Sequence, residues 1–323
     1  MAEHLVCVIR RMTLNSENQM INHDQVARRP RAAANFLDDQ LAGGRVCFSL
    51  PALMGVTGLS STAAHYQLLR LGRRVVRISP RFFLSVTPEY LAAGAPPPHQ
   101  WLDDYFRWLE RPYYLGLLSA AAQHGASPQA VQVTQVMTDA PRHPIEVGRL
   151  RVCFFVKRKL SRTATQQVPG AFAPLRVSTP AATVFDLVRY APRTGGLGRV
   201  VESFKPLLPL ITPTELRAVL KAEHETASAQ RLGYVLDQVG RADLARVVES
   251  WLDGKLRLTP LVPADGRALQ GRLNARWHIL DNSGELNASL SSALHAGASS
   301  GDPTRDLHSP AHAGLAGRRP NLT

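Results

Sequence analysis

Cysteine is scarce. The 323 residues hold three, Cys7, Cys47 and Cys153, far apart and odd in number. No CxxC pair exists, so neither a zinc finger nor a disulfide framework is supported, and a reducing compartment fits. Long apolar runs are missing as well. No stretch of ~18 apolar residues occurs, so no membrane span is read from the sequence. The N-terminal "LVCVI" is too short for the apolar core of a secretion signal and runs into Arg10 and Arg11. The cytoplasm is the expected location, with no membrane partner.

Catalytic signatures are missing too. There is no GxGxxG at a strand–helix junction, and "GGLG" (195–198) lacks the Lys-Ser/Thr of a phosphate-binding loop. There is no HExxH, GxSxG or paired-cysteine site. Asp103 and Asp104 are adjacent on a helix, so their side chains diverge. His65, His99, His124 and His143 are scattered. Asp186 stands among apolar residues, as a satisfied buried carboxylate does. No catalytic residue, metal or cofactor is therefore expected.

Acidic residues are outnumbered, 25 Asp and Glu against 38 Lys and Arg, a formal charge of +13. Such an excess suits a polyanion, either nucleic acid or an anionic membrane surface. A solvated arginine-rich surface from a GC-rich genome is the bland alternative. Most of the excess is arginine, whose planar fork matches phosphate and guanine.

Composition divides the chain. Residues 1–30 are polar and irregular and read as a mobile extension. Residues 31–93 form a first unit, and "GAPPPHQ" (94–100) reads as a stiff Pro-rich linker. Residues 101–282 form a larger second unit. Residues 283–323 are rich in Ser, Gly, Ala and Pro and are expected to be disordered.

In the first unit, Ala33, Phe36, Leu37 and Leu41 have helical spacing, and Gly43–Gly44 ends that helix. Ser49 caps a second short helix with Pro51 in its first turn. Ser60 caps a third, after the turn "GVTGLS". On the third helix Ala64, Leu68 and Leu71 make a core stripe. Ser61, Thr62, His65, Tyr66 and Leu69 fall mainly on other faces. "RRVVRIS" and "RFFLSV" then read as a hairpin closed by Ser79-Pro80-Arg81. This order is that of a winged helix-turn-helix, whose third helix enters the DNA major groove by its N-terminal end. Ser61, Thr62, His65 and Tyr66 are the candidate base-reading residues. Arg70, Arg73, Arg74, Arg77 and Arg81 are the candidate phosphate or minor-groove contacts. A helical protein-binding module is the competing reading.

The second unit is mixed α/β. "WLDDYFRWLERPYYLGLLSAAAQHG" (101–125) reads as two helices broken at Pro112, with an aromatic cluster that packs a core or stacks on bases. "AVQVTQVM" (130–137) and "RLRVCFFVK" (149–157) are strand-like. Lys157, Arg158, Lys159 and Arg162 make a second basic cluster, either a solvated loop or a second polyanion or partner site. Thr179 and Pro180 open a helix. Segments 212–222, 227–239 and 242–253 are helical, and "RWHILDN" (276–282) reads as a last strand able to join the sheet.

"YYLGLLSAAAQHGASPQAVQVTQVMT", "STPAATVFDLVRYAPRTGGLGRVV" and "QRLGYVLDQVG", in this order, resemble the AbiEi-family antitoxins of type IV toxin–antitoxin (abortive infection) systems. The resemblance covers about residues 35 to 282, and the three segments are specific as a set rather than singly. It implies an autorepressor that binds inverted repeats in double-stranded promoter DNA. It also implies a functional partner, a nucleotidyltransferase toxin countered without a stable complex. DNA contacts carry over only onto the first-unit positions named above. The expected fold is α+β: an N-terminal winged helix-turn-helix, a larger mixed α/β domain and a disordered C-terminal tail. The alternative function is a nucleic-acid-processing enzyme, a cryptic nuclease, to which the first unit delivers substrate.

Overall fold

The computed structural model describes residues 31–126, 133–169, 174–263 and 271–283. The expected N-terminal extension, nearly all of the expected C-terminal tail and the start of the strand expected over 130–137 lie outside the described residues. The architecture is mixed α+β.

Three helices open it. Helix α1 (Ala32–Ala42) buries Ala33, Phe36 and Leu37. A short strand β1 (Cys47–Ser49) runs straight into α2 (Leu50–Thr57), where the Ser49 side chain accepts a hydrogen bond from the Ala52 amide. Gly58, at φ 71°, ends α2 in the left-handed region that favours glycine. Helix α3 (Ser61–Arg70) is capped the same way by Ser60, which accepts from Ala63. Strands β2 (Val75–Ser79) and β3 (Phe82–Ser85) follow as an antiparallel pair, with Ser79 opposite Phe82 and Pro80-Arg81 between them. The register shifts between Arg77 and Ser79, a bulge that twists the hairpin tip. Strand β1 adds to the free side of β3, giving the order β1-β3-β2. Three residues are too few to show a periodicity, so β1 escaped the sequence reading.

Strand β3 is therefore central and buried on both faces. Alternation sends Phe83 one way, to stack on Phe48 at 5.6 Å among the three helices. It sends Phe82 and Leu84 the other way. Phe82 meets Tyr105 at 5.2 Å and Trp108 at 5.1 Å, both on α4 (Leu102–Trp108). Val46, Cys47, Phe82 and Leu84 thus share one apolar cluster with Trp101, Leu102 and Tyr105. The Pro-rich stretch between them is packed. Ala95 and Pro96 are buried, and the Pro96 carbonyl accepts from the Trp101 indole at 3.0 Å. Gly94, at φ 85°, lies so close to Gly148 that an added Cβ would sit 2.9 Å from its Cα.

The segment expected as two helices around Pro112 is a helix, a strand and a helix. Glu110 takes φ 52° and reverses the chain after α4. Pro112 bars helix continuation. Tyr113 and Tyr114 then enter β4 (Tyr113–Leu115), because adjacent aromatic residues fit a strand buried on both faces. Helix α5 (Leu117–Gln123) follows. Five further strands complete a six-stranded sheet: β5 (Thr134–Thr138), β6 (Ile145–Val147), β7 (Leu150–Val156), β8 (Thr165–Val168) and β9 (Leu175–Ser178). Its order is β6-β7-β5-β4-β9-β8, with β4–β9 and β5–β7 parallel and the other neighbours antiparallel.

Helices pack behind the sheet. In α6 (Pro180–Arg189) every residue from Ala181 to Val188 is buried, so it is the central helix of the layer. The Thr179 hydroxyl caps it, with Pro180 in the first turn, as expected. Helices α7 (Leu197–Phe204), α8 (Pro213–Glu223), α9 (Thr226–Gln238) and α10 (Ala242–Leu252) join the same core. A capping box between Thr212 and Glu215 starts α8. Residues 276–282 do form a strand at β12 (Ile279–Asp281). It pairs with β10 (Thr259–Pro260) and β11 (Arg272–Asn274) in a separate small sheet, not with the large one. Trp277 precedes it, its ring lying on Gly233 of α9, where a Cβ would come within 2.2 Å of the ring. The Trp277 indole donates to Asp237 at 2.6 Å.

The shared cluster makes a testable claim. Burial, reinforced by Asp104, pushes the Cys47 thiol up to about 12, so it stays protonated and unreactive at neutral pH. Phe82→Ala removes a buried ring and should cost about 3–5 kcal/mol by urea unfolding. With Cys7 and Cys153 changed to serine, iodoacetamide at pH 8 should label Cys47 slowly in the parent and faster in the Phe82→Ala variant. Unchanged stability would mean that the two units do not depend on this contact.

Candidate nucleic-acid interface

Helix α3 divides by face. Ala64 and Leu68 are buried and Leu71 is half-buried, which fixes the rotation of the helix. Ser61, Thr62, His65, Tyr66, Leu69 and Arg70 are exposed on the remaining surface. Within that stripe the His65 Nδ1 lies 2.8 Å from the Ser61 carbonyl. A carbonyl only accepts, so this bond places a ring proton on Nδ1, and in the neutral ring Nε2 is then an acceptor. The Arg70 guanidinium lies 5.8 Å from the centre of the Tyr66 ring, a cation–π contact at the helix end.

The arginines expected on the hairpin are all exposed, but not equally free. Arg74 forms an ion pair with Asp38 of α1. Both partners are exposed, so the pair adds little stability. Arg73, Arg77 and Arg81 form no ion pair with any described residue. Arg73 lies in the turn after α3, Arg77 on β2 and Arg81 at the hairpin tip. They follow the stripe on α3 in the chain, from its C-terminal end along the hairpin to its tip.

The second basic cluster divides. Arg158, Lys159 and Arg162 are exposed, but Lys157 turns inward, its side chain 1 % exposed. Its ammonium donates to Asp186 Oδ1 at 2.7 Å, Glu223 Oε1 at 2.7 Å and the Tyr114 hydroxyl at 3.2 Å. Tyr114 donates to Asp186 Oδ2 at 2.6 Å, and Thr163 donates to Glu223 Oε1 at 2.9 Å. Arg189, at the rim, reaches Glu223 Oε2 at 3.4 Å and Glu225 at 2.9 Å. Burial and the neighbouring Asp186 raise the Tyr114 hydroxyl far above its ordinary range, so it remains a donor.

This network joins β4, the end of β7, α6 and α8. All three protons of the Lys157 ammonium are used, and the two carboxylates are 0 % and 3 % exposed. A substrate cannot touch them, so the group holds the sheet against the helices rather than doing chemistry. Reading by sequence found Asp186 as a satisfied buried acid but not its partner. Lys157 stands beside three other basic residues, which hid it. Among the described residues no group of three or more His, Cys, Asp or Glu converges to hold a metal ion, and no helix is long and apolar enough to cross a membrane.

The network lies inside a recognisable domain. Residues 114–238 match the family described as "AbiEi antitoxin C-terminal domain", and the match bears out the resemblance carried by the three sequence segments. Over this domain the chain is similar to the AbiEi antitoxins. The RV2827C protein of Mycobacterium tuberculosis has a similar fold, with a TM-score of 0.57 at 17% identity, over 83% of this chain and 96% of that one. An antigenic nucleotidyltransferase-like protein of Paracoccidioides brasiliensis matches at a TM-score of 0.33 and 11% identity, over 46% of this chain and 88% of that one, too weakly to support any inference. No curated protein sequence matches the chain.

The two kinds of basic residue should separate on mutation. Lys157→Ala strands two buried carboxylates and should cost about 3–5 kcal/mol. Arg158→Ala and Arg162→Ala, at the surface, should each stay within about 0.5 kcal/mol. Urea titrations of the three variants measure this. A neutral Lys157→Ala would remove the network from the stability of the fold.

Proposed function

We propose that residues 31–93 are a winged helix-turn-helix that binds the double-stranded promoter DNA of its own operon at inverted repeats. In this reading the chain is both autorepressor and antitoxin. It counters a nucleotidyltransferase toxin without a stable complex, and it acts without catalysis. Helix α3 lies in the major groove and the β2–β3 hairpin is the wing. The observation that carries the reading is the exposed stripe Ser61–Thr62–His65–Tyr66 on a helix whose opposite face is buried, followed in the chain by the exposed Arg73, Arg77 and Arg81. Short polar side chains reach base edges, and guanidinium groups without acidic partners among the described residues suit phosphates. His65 is exposed, and in the neutral ring its Nε2 is an acceptor, which fits the amino group of adenine or cytosine. Antitoxicity belongs in this reading to the domain spanning residues 114–238.

Two sets of substitutions test it. Arg73→Ala with Arg77→Ala should weaken binding to all duplexes and lower the slope of log affinity against log salt by about 0.9 for each lost phosphate contact. His65→Ala should lower the preference for the promoter duplex over scrambled DNA by roughly tenfold or more, with nonspecific binding little changed. Both variants should still rescue growth when the toxin is expressed. Point variants are the right tool, because cutting off the first unit would expose the apolar cluster around Tyr105 and Trp108. An unchanged salt slope would take the arginines out of the interface. Loss of rescue in folded variants would show that the two activities are not separable.

A further inference from the structure

Leu69 stands out on α3. It is 79% exposed, more than any other large apolar residue among the described residues for which an exposure is given. A single exposed leucine is commonplace on a protein surface. This one lies in the same helical stripe as Thr62 and His65, opposite the face that buries Ala64 and Leu68. It also lies beside Arg70 and one turn before Arg73.

We propose that Leu69 is a specificity-determining residue that packs on the C5-methyl group of a thymine in the major groove. This deepens the DNA-binding reading of α3 and rests on it. A leucine side chain has no donor or acceptor, so it cannot read the polar atoms of a base edge. The thymine methyl is the one apolar group that the four bases present in the major groove. Seven residues separate Thr62 from Leu69, a rise of about 10 Å along the helix. Base pairs are stacked about 3.4 Å apart, so the two residues sit some three base pairs from one another. The contacted thymine therefore lies about three base pairs from the position read by Thr62. A second copy of the chain is a poorer occupant of this face. Bringing two such faces together would oppose Arg70, Arg73 and Arg77 on both sides, and like charges across an interface repel. A polyanion draws on the same charges.

The probe is a duplex selected by the wild-type protein from a random-sequence DNA pool. Each thymine in it is then replaced by uracil, which removes only the methyl group. Wild-type protein should lose about fourfold in affinity at one thymine, the effect of one apolar carbon leaving a contact. Leu69→Ala should bind the thymine and uracil duplexes equally at that position and keep the wild-type melting temperature. Thr62→Ala should change the base preference about three pairs away. If selection enriches no sequence, the DNA-binding reading itself fails. If a sequence is enriched but no uracil substitution matters, the DNA reading stands and this proposal fails. It fails equally if Leu69→Ala remains sensitive to uracil. If sedimentation shows a wild-type dimer that Leu69→Ala dissociates, with affinity for all duplexes falling together, Leu69 is a self-association contact and the proposal is overturned.

Discussion

Much of this structure depends on four consecutive residues with no exposed face. Strand β3 reads Phe82-Phe83-Leu84-Ser85, and its two-residue alternation serves two cores at once. Phe83 completes the three-helix core. Phe82 and Leu84 complete the aromatic cluster of the following unit. A one-residue slip in its pairing would exchange these sets and spoil both cores. The slip is opposed from both sides, since β1 and β2 each pair with β3 in antiparallel register. Helix α3 is held by the same strand, because its buried residues belong to the core that Phe83 completes. The orientation of the exposed stripe is thus set from beneath by an aromatic residue that never reaches solvent.

Charge is handled differently on the two sides of that strand. In the first unit most arginines stay at the surface, where water keeps the cost of an unpaired charge small. In the second unit one lysine is taken inside and must be matched at once. Lys157 meets Asp186 and Glu223 within hydrogen-bond distance, and Arg189 offsets the remaining negative charge at the rim. A buried arrangement of this kind adds little net stability over apolar residues of the same shape, yet it punishes any loss of one partner. It also makes sheet and helices specific for one another, because a single relative placement satisfies Tyr114, Lys157, Asp186 and Glu223 together.

Much of the fold was legible from local rules. Ser49, Ser60 and Thr179 cap the helices that they were expected to cap, and Ala64 and Leu68 face the core. The elements that escaped are those set by distant partners. Residues 47–49 are a strand because β3 lies beside them, and three residues carry no period of their own. Tyr113 and Tyr114 looked helical beside an amphipathic neighbour, and the reversal at Glu110 is not written in local propensity. Lys157 was misplaced for the same reason: its burial is decided by acids 29 and 66 residues further along the chain. The exposed residues of α3 were legible because a helix with one buried stripe fixes its other faces by geometry alone.

The seating of Trp277 on Gly233 has a temporal side. The ring fills space beside α9 and its indole is bonded to Asp237, so the helical layer is not closed until residue 277 has been made. The first unit and its partner cluster need nothing beyond about residue 177. At roughly 5–20 residues per second, the hundred residues between these points take about 5–20 s to synthesise. During that interval a nascent chain can present a finished surface on α3 above an open helical layer.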